Sequence, residues 1–141
     1  MREIIFRGKR IDNCEWVYGS FCMDACEQFN GLCGVDGFIR LYDKAMGKMQ
    51  MYEVDRESVG QFTGLTDKNG KRIFEGDILT DDWGKIFKVF FTTKSCSFMV
   101  RCEYTPNEWE TGDYRIGEAW INTIRVIGNI HDNPEPPEVT P

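Results

Sequence analysis

Residues 63–79 read TGLTDKNGKRIFEGDIL, and two reversals of chain direction lie inside them. Asp67, Lys68, Asn69 and Gly70 have the preferences of a type I turn closed by a left-handed residue. The Asp67 side chain bonds back to the chain, Asn69 suits the turn, and Gly70 takes the positive φ. Glu75, Gly76 and Asp77 follow almost at once, and a glycine between two carboxylates reads as a second sharp bend rather than a phosphate cradle. A chain that reverses this often predicts short strands joined by tight turns.

Towards the C-terminus, KIFKVFF and CSFMVRCEY are strands, because Phe98, Val100, Cys102 and Tyr104 alternate with Met99, Arg101 and Glu103 in the period of a half-buried sheet. TPNEWETGDYRIG reads as a long acidic surface loop, WINTIRVIGNI as the strand that closes the sheet, and NPEPPEVTP as an extended tail. Towards the N-terminus, REIIFR and WVYGSF make a hairpin with Asp12 and Asn13 in its turn, and FIRLY and MQMYEV make another around Gly47. Residues 23–37 read as a loop or as a short helix ending near Gly31, and DRESVGQF as one helical turn capped by Asp55. The expected fold is mainly β with at most one short helix, built of short-strand meanders, with an SH3-like barrel in the C-terminal half. One domain spans residues 1–141: a hairpin region over 1–59, the barrel over 60–132 and a proline-rich tail over 133–141. No internal repeat and no linker is read between them.

A chain of 141 residues with 41% hydrophobic side chains, among them ten Phe, five Tyr and four Trp, buries enough surface for a core without cross-links. The net charge of −6, with dispersed basic residues, disfavours nucleic acid. A local basic face of Lys68, Lys71, Arg72, Lys85 and Lys88 is the exception that keeps a nucleic-acid-associated regulator as the alternative reading. No run approaches the roughly 18 apolar residues of a membrane-spanning helix, and MREIIFRGKR is unlike a signal peptide, so a cytoplasmic protein is expected. The six cysteines at 14, 22, 26, 33, 96 and 102 lack the CxxC-like spacing of zinc knuckles. They are expected to be reduced thiols serving as small apolar side chains, with no metal and no cofactor.

Four separated blocks, MREIIFRGKR, WVYG, TGLTDKNGKRIFEGDIL and VIGNIHDNPE, occur in an order that resembles the YopX family of phage and prophage proteins. The resemblance spans nearly the whole chain and leaves residues 23–37 as an individual insertion. It implies a phage or prophage setting in a bacterial host cell, no established activity, and self-assembly, with a trimer ahead of a dimer.

Each candidate site has a plainer reading beside it. Glu75 and Asp77 form a carboxylate pair suited to acid–base work, yet they flank a bend where carboxylates commonly bind backbone N–H groups. His131 beside Asp132 is an orientable imidazole, but a lone histidine at a strand end is more often a surface residue. Asp81 and Asp82 supply too few oxygens for a hard cation. Trp83, Trp109 and Trp120 are the interface candidates, since aromatic residues in polar loops are enriched among anchoring contacts. The expected function is therefore that of a non-enzymatic accessory protein acting through self-association and contact with a phage or host protein. The apolar strands REIIFR and WINTIRVIGNI are the edges another copy would cover.

Overall fold

The computed structural model describes residues 3–22, 37–104 and 112–133. Its backbone divides after Phe62 into two units. Nearly all of the regular structure is antiparallel β, as the alternating patterns require.

In the N-terminal unit, β1 (Phe6–Arg10), β2 (Trp16–Cys22), β3 (Phe38–Asp43) and the first part of the long β4 (Lys48–Thr66) form successive hairpins. Gly47, at φ 67°, turns β3 into β4, and the register Tyr42↔Met49, Arg40↔Met51 follows. β4 then bends and pairs with β1 through Phe6↔Gln61 and Arg10↔Val54, so the order β1-β2-β3-β4 returns to β1 and the ring closes. Closure corrects the reading of REIIFR as an unpaired edge: from Phe6 onward the strand has a neighbour on both sides. It also corrects the helical turn expected over DRESVGQF. These residues are strand, and the irregularity there is a bulge. Ser58 Oγ accepts the Lys9 N–H and donates to the Asp55 carbonyl, which holds the extra residues in place.

β2 and β3 approach closely at Gly19, which faces the interior of the ring. A Cβ on Gly19 would stand 2.3 Å from the Arg40 carbonyl oxygen and 3.2 Å from Ile39 Cγ2. Ile39 and Val54 are fully buried, Phe62 nearly so, and Phe6 and Phe21 meet with ring centroids 6.1 Å apart.

The C-terminal unit begins with the last residues of β4 and adds β5 (Arg72–Phe74), β6 (Asp77–Thr80), β7 (Ile86–Thr92), β8 (Ser97–Tyr104), β9 (Asp113–Arg115), α1 (Glu118–Ile121) and β10 (Arg125–Asn129). Its sheet has the order β10-β6-β7-β8-β9. β10 is the outer strand beside β6, in keeping with the edge expected of WINTIRVIGNI, although Trp120 and Ile121 belong to the short helix before it. Part of the expected acidic loop, Asp113–Arg115, is strand paired to β8, and the remainder lies largely outside the described residues. Ile73, Leu79, Phe87, Val89, Val100, Cys102 and Ile124 form the core, against which Leu65, Ile116, Trp120, Ile121 and Val126 pack.

Cys14, Cys22, Cys96 and Cys102 are in no disulfide, and Cys26 and Cys33 lie outside the described residues. Among the described cysteines only Cys102 is buried, as a small core residue. Cys14 and Cys96 are exposed in hairpin turns at φ 60° and 49°, positions where a Cβ is a hindrance.

Gly70 has φ 81°, and a Cβ there would meet nothing within 4 Å. Gly70→Val therefore tests backbone strain alone and should cost about 1 kcal/mol or more in chemical denaturation. An unchanged midpoint would show that the turn relaxes freely.

Candidate functional site

The DKNG reversal is one of a pair. In Asp67–Lys71 the Asp67 N–H donates to the Lys71 carbonyl, Gly70 N–H donates to the Asp67 carbonyl, and Asp67 Oδ1 accepts from the N–H groups of Asn69 and Lys71, both at 2.9 Å. In Asp81–Lys85 the same bonds recur: Asp81 N–H to Lys85 O, Gly84 N–H to Asp81 O, and Asp81 Oδ1 accepting from Trp83 at 3.0 Å and Lys85 at 2.9 Å. Gly84, at φ 80°, matches Gly70. Both turns spell Asp-x-x-Gly-Lys, a short repetition that the sequence reading passed over. Their second positions join across the surface, Lys68 Nζ lying 2.9 Å from Asp82 Oδ1.

The first turn is further anchored. Asp67 Oδ2 accepts the Val126 N–H at 2.9 Å, and Lys68 N–H donates to the Ile124 carbonyl at 3.0 Å, fastening the turn to the start of β10. Asp67 is only 6% exposed. Burial opposes its ionisation, but the N–H donors of Val126, Lys71 and Asn69, with the Lys71 charge, prevail and hold its carboxyl below the usual carboxylate range.

This scaffold presents Trp83. The residue occupies the third position of the second turn and is 65% exposed, while the backbone beneath it is held by the Asp81 carboxylate. Trp120 is placed otherwise: it is half-buried, meets Phe87 edge-on at 4.8 Å and packs against the core. Trp109 lies outside the described residues.

The acid–base candidates are structural in their visible contacts. Asp77 is 1% exposed and its Oδ2 accepts the Phe74 N–H at 2.8 Å across the bend. Gly76, at φ 90°, donates its N–H to the Val89 carbonyl and accepts from Ile130 N–H, so the bend joins β7 to the residue after β10. Glu75 is half-buried in that bend. Beyond β10, Asn129 organises the turn: its Oδ1 accepts from His131 and Asp132 N–H groups and its Nδ2 donates to the Asp132 carboxylate. Among the described residues no three His, Cys, Asp or Glu side chains converge as metal ligands. No helix among them is long and apolar enough to cross a membrane. A pocket of about 170 Å³ lies against Ile78, Ile86, Phe87 and Ile130 with Lys88 and Glu103 beside it. Of the basic face weighed for nucleic acid, Lys68 is paired with Asp82 and Lys88 is half-buried.

The family profile described as YopX protein matches residues 6–136. This chain belongs to the YopX family. No curated protein matches it. Among solved structures, the YopX-family chain is similar to protein EF1440 from Enterococcus faecalis, at 22% identity and a TM-score of 0.50, over 96% of this chain and 98% of that one. At that identity the likeness concerns the fold.

Proposed function

We propose that this YopX-family chain is a non-enzymatic phage or prophage accessory protein that acts by contact, associating with further copies of itself and with a phage or host protein in the bacterial cytoplasm. The observation that carries the reading is Trp83, a large aromatic ring held out on a turn whose own carboxylate fixes the backbone. A rigid, exposed ring loses little conformational entropy on docking, which is why tryptophan is prominent among binding hot spots. The outer strand β10 gives a second contact surface beyond its first residues, whose backbone is already bonded to the Asp67 turn.

Gel filtration with light scattering at micromolar concentration should return a multiple of 16.4 kDa, with three copies ahead of two on the family association. Trp83→Ser should shift the mass towards the monomer while leaving the thermal transition nearly in place. A wild-type mass of one chain would remove self-association from the proposal.

A further inference from the structure

The outer face of the N-terminal ring carries a set of side chains that neither the core nor the Trp83 loop uses. On β3, Arg40 and Tyr42 point outward, opposite the buried Ile39. Their β4 partners in register are Met51 and Met49, and on β2 Ser20 stands opposite Arg40. Tyr18 lies two residues from Ser20 on that same face of β2. Tyr42 is 57% and Met49 52% exposed, with Tyr18 and Met51 also exposed. Tyrosine, methionine and arginine are the side chains enriched in the desolvated centres of protein interfaces.

The charge around this patch has a sign. Arg40 has no carboxylate partner among the described residues. The adjoining turn carries exposed Lys44, whereas Lys48 is in register with Asp43 on the other face of the ladder, where the Asp43 carboxylate accepts the N–H groups of Ala45 and Met46. Glu53, opposite Phe38, is the carboxylate on the next row.

We propose that this face binds an extended acidic segment of a partner protein, one that sets an aromatic side chain between carboxylates. The aromatic ring lies against Met49, Met51 and Tyr42, where thioether sulfur and ring edges are mutually attractive. The flanking carboxylates meet Arg40 and Lys44, which steers the segment and sets its register. The inference rests on the reading of the chain as a contact protein but concerns residues of the N-terminal unit in place of Trp83.

The test uses the full chain and two synthetic peptides of equal length, one with a tryptophan between glutamates and one with the same tryptophan between lysines. Fluorescence anisotropy of labelled peptide should show saturable binding of the acidic peptide, with Kd below about 1 mM, and none of the basic one. Arg40→Glu and Tyr42→Ser should each weaken binding at least about tenfold, with a thermal transition as in the wild type confirming the fold. Equal binding of both peptides, binding of neither, or insensitivity to both substitutions would overturn the proposal. So would displacement of the acidic peptide by single-stranded oligothymidylate, which would assign the face to nucleic acid. Light scattering on Arg40→Glu separates the two readings: an unchanged mass is expected, and collapse to a monomer would mean that a second copy covers this face instead.

Discussion

Asp67→Ala should lower the stability of the C-terminal unit by about 3 kcal/mol, the largest loss expected from any single polar side chain described above. The carboxylate serves three N–H groups at once, two within its own turn and one on Val126, fifty-nine residues away. Removing it leaves donors without acceptors around a site that is nearly closed to water, and the cost is that of desolvated, unsatisfied groups rather than of one net hydrogen bond. Asp81→Ala is the internal control: it removes the same two turn bonds without the long-range one, and about half the loss is expected. Equal losses in urea denaturation would show that the Val126 bond carries little. The same geometry sets a pH dependence. Because the native carboxyl titrates below its unfolded value, its contribution is present above the ordinary carboxylate range and is lost as pH falls below about 4 and through the lowered native value. Asp67→Ala should flatten the acid limb of the stability profile in that window.

Gly19→Ala is the second large effect, about 2–3 kcal/mol, and it acts in the other unit. The added methyl group would stand 2.3 Å from a backbone oxygen of β3, and a backbone atom cannot rotate aside as a side-chain end does. The β2–β3 ladder must therefore part or the ring must widen, and either disturbs the packing around Ile39. Hydrogen exchange gives the sharpest reading. Protection should fall in β2 and β3 while amides of the C-terminal unit, such as those of β7, stay protected. Uniform loss throughout the chain would mean that the two units unfold as one.

Local chemistry was the legible part of this fold. The DKNG turn, the Gly47 hairpin and the β7–β8 pair each follow from residues close in sequence, where turn preferences and two-residue alternation decide the outcome. What escaped were relations between distant segments. Nothing local in REIIFR says whether one neighbour or two will flank it, because that depends on β4 bending back some fifty residues later. The sequence pattern suggested a barrel in the C-terminal half, whereas the pairing that visibly closes on itself lies in the N-terminal unit. The helical turn over DRESVGQF failed for a related reason: Asp55 and Ser58 have cap-like chemistry, and strand pairing used it to stabilise a bulge. At the candidate site Trp83 was legible only as one of three aromatic residues in polar loops, and the repeated Asp-x-x-Gly-Lys spelling was available to direct inspection. The contact of Trp120 with Phe87 was not legible, because the two residues are far apart in sequence.

Ring closure in the N-terminal unit also orders events during synthesis. The first strand leaves the ribosome early, yet its partner at Gln61 is made only after all of β2 and β3. Until then the emerging meander holds β1 by one side only, and the entropy of closing so long a loop must be met before the last ladder contributes. A nascent chain stalled before residue 54 should consequently remain sensitive to proteolysis, with protection appearing in one step once β4 is free to return to β1.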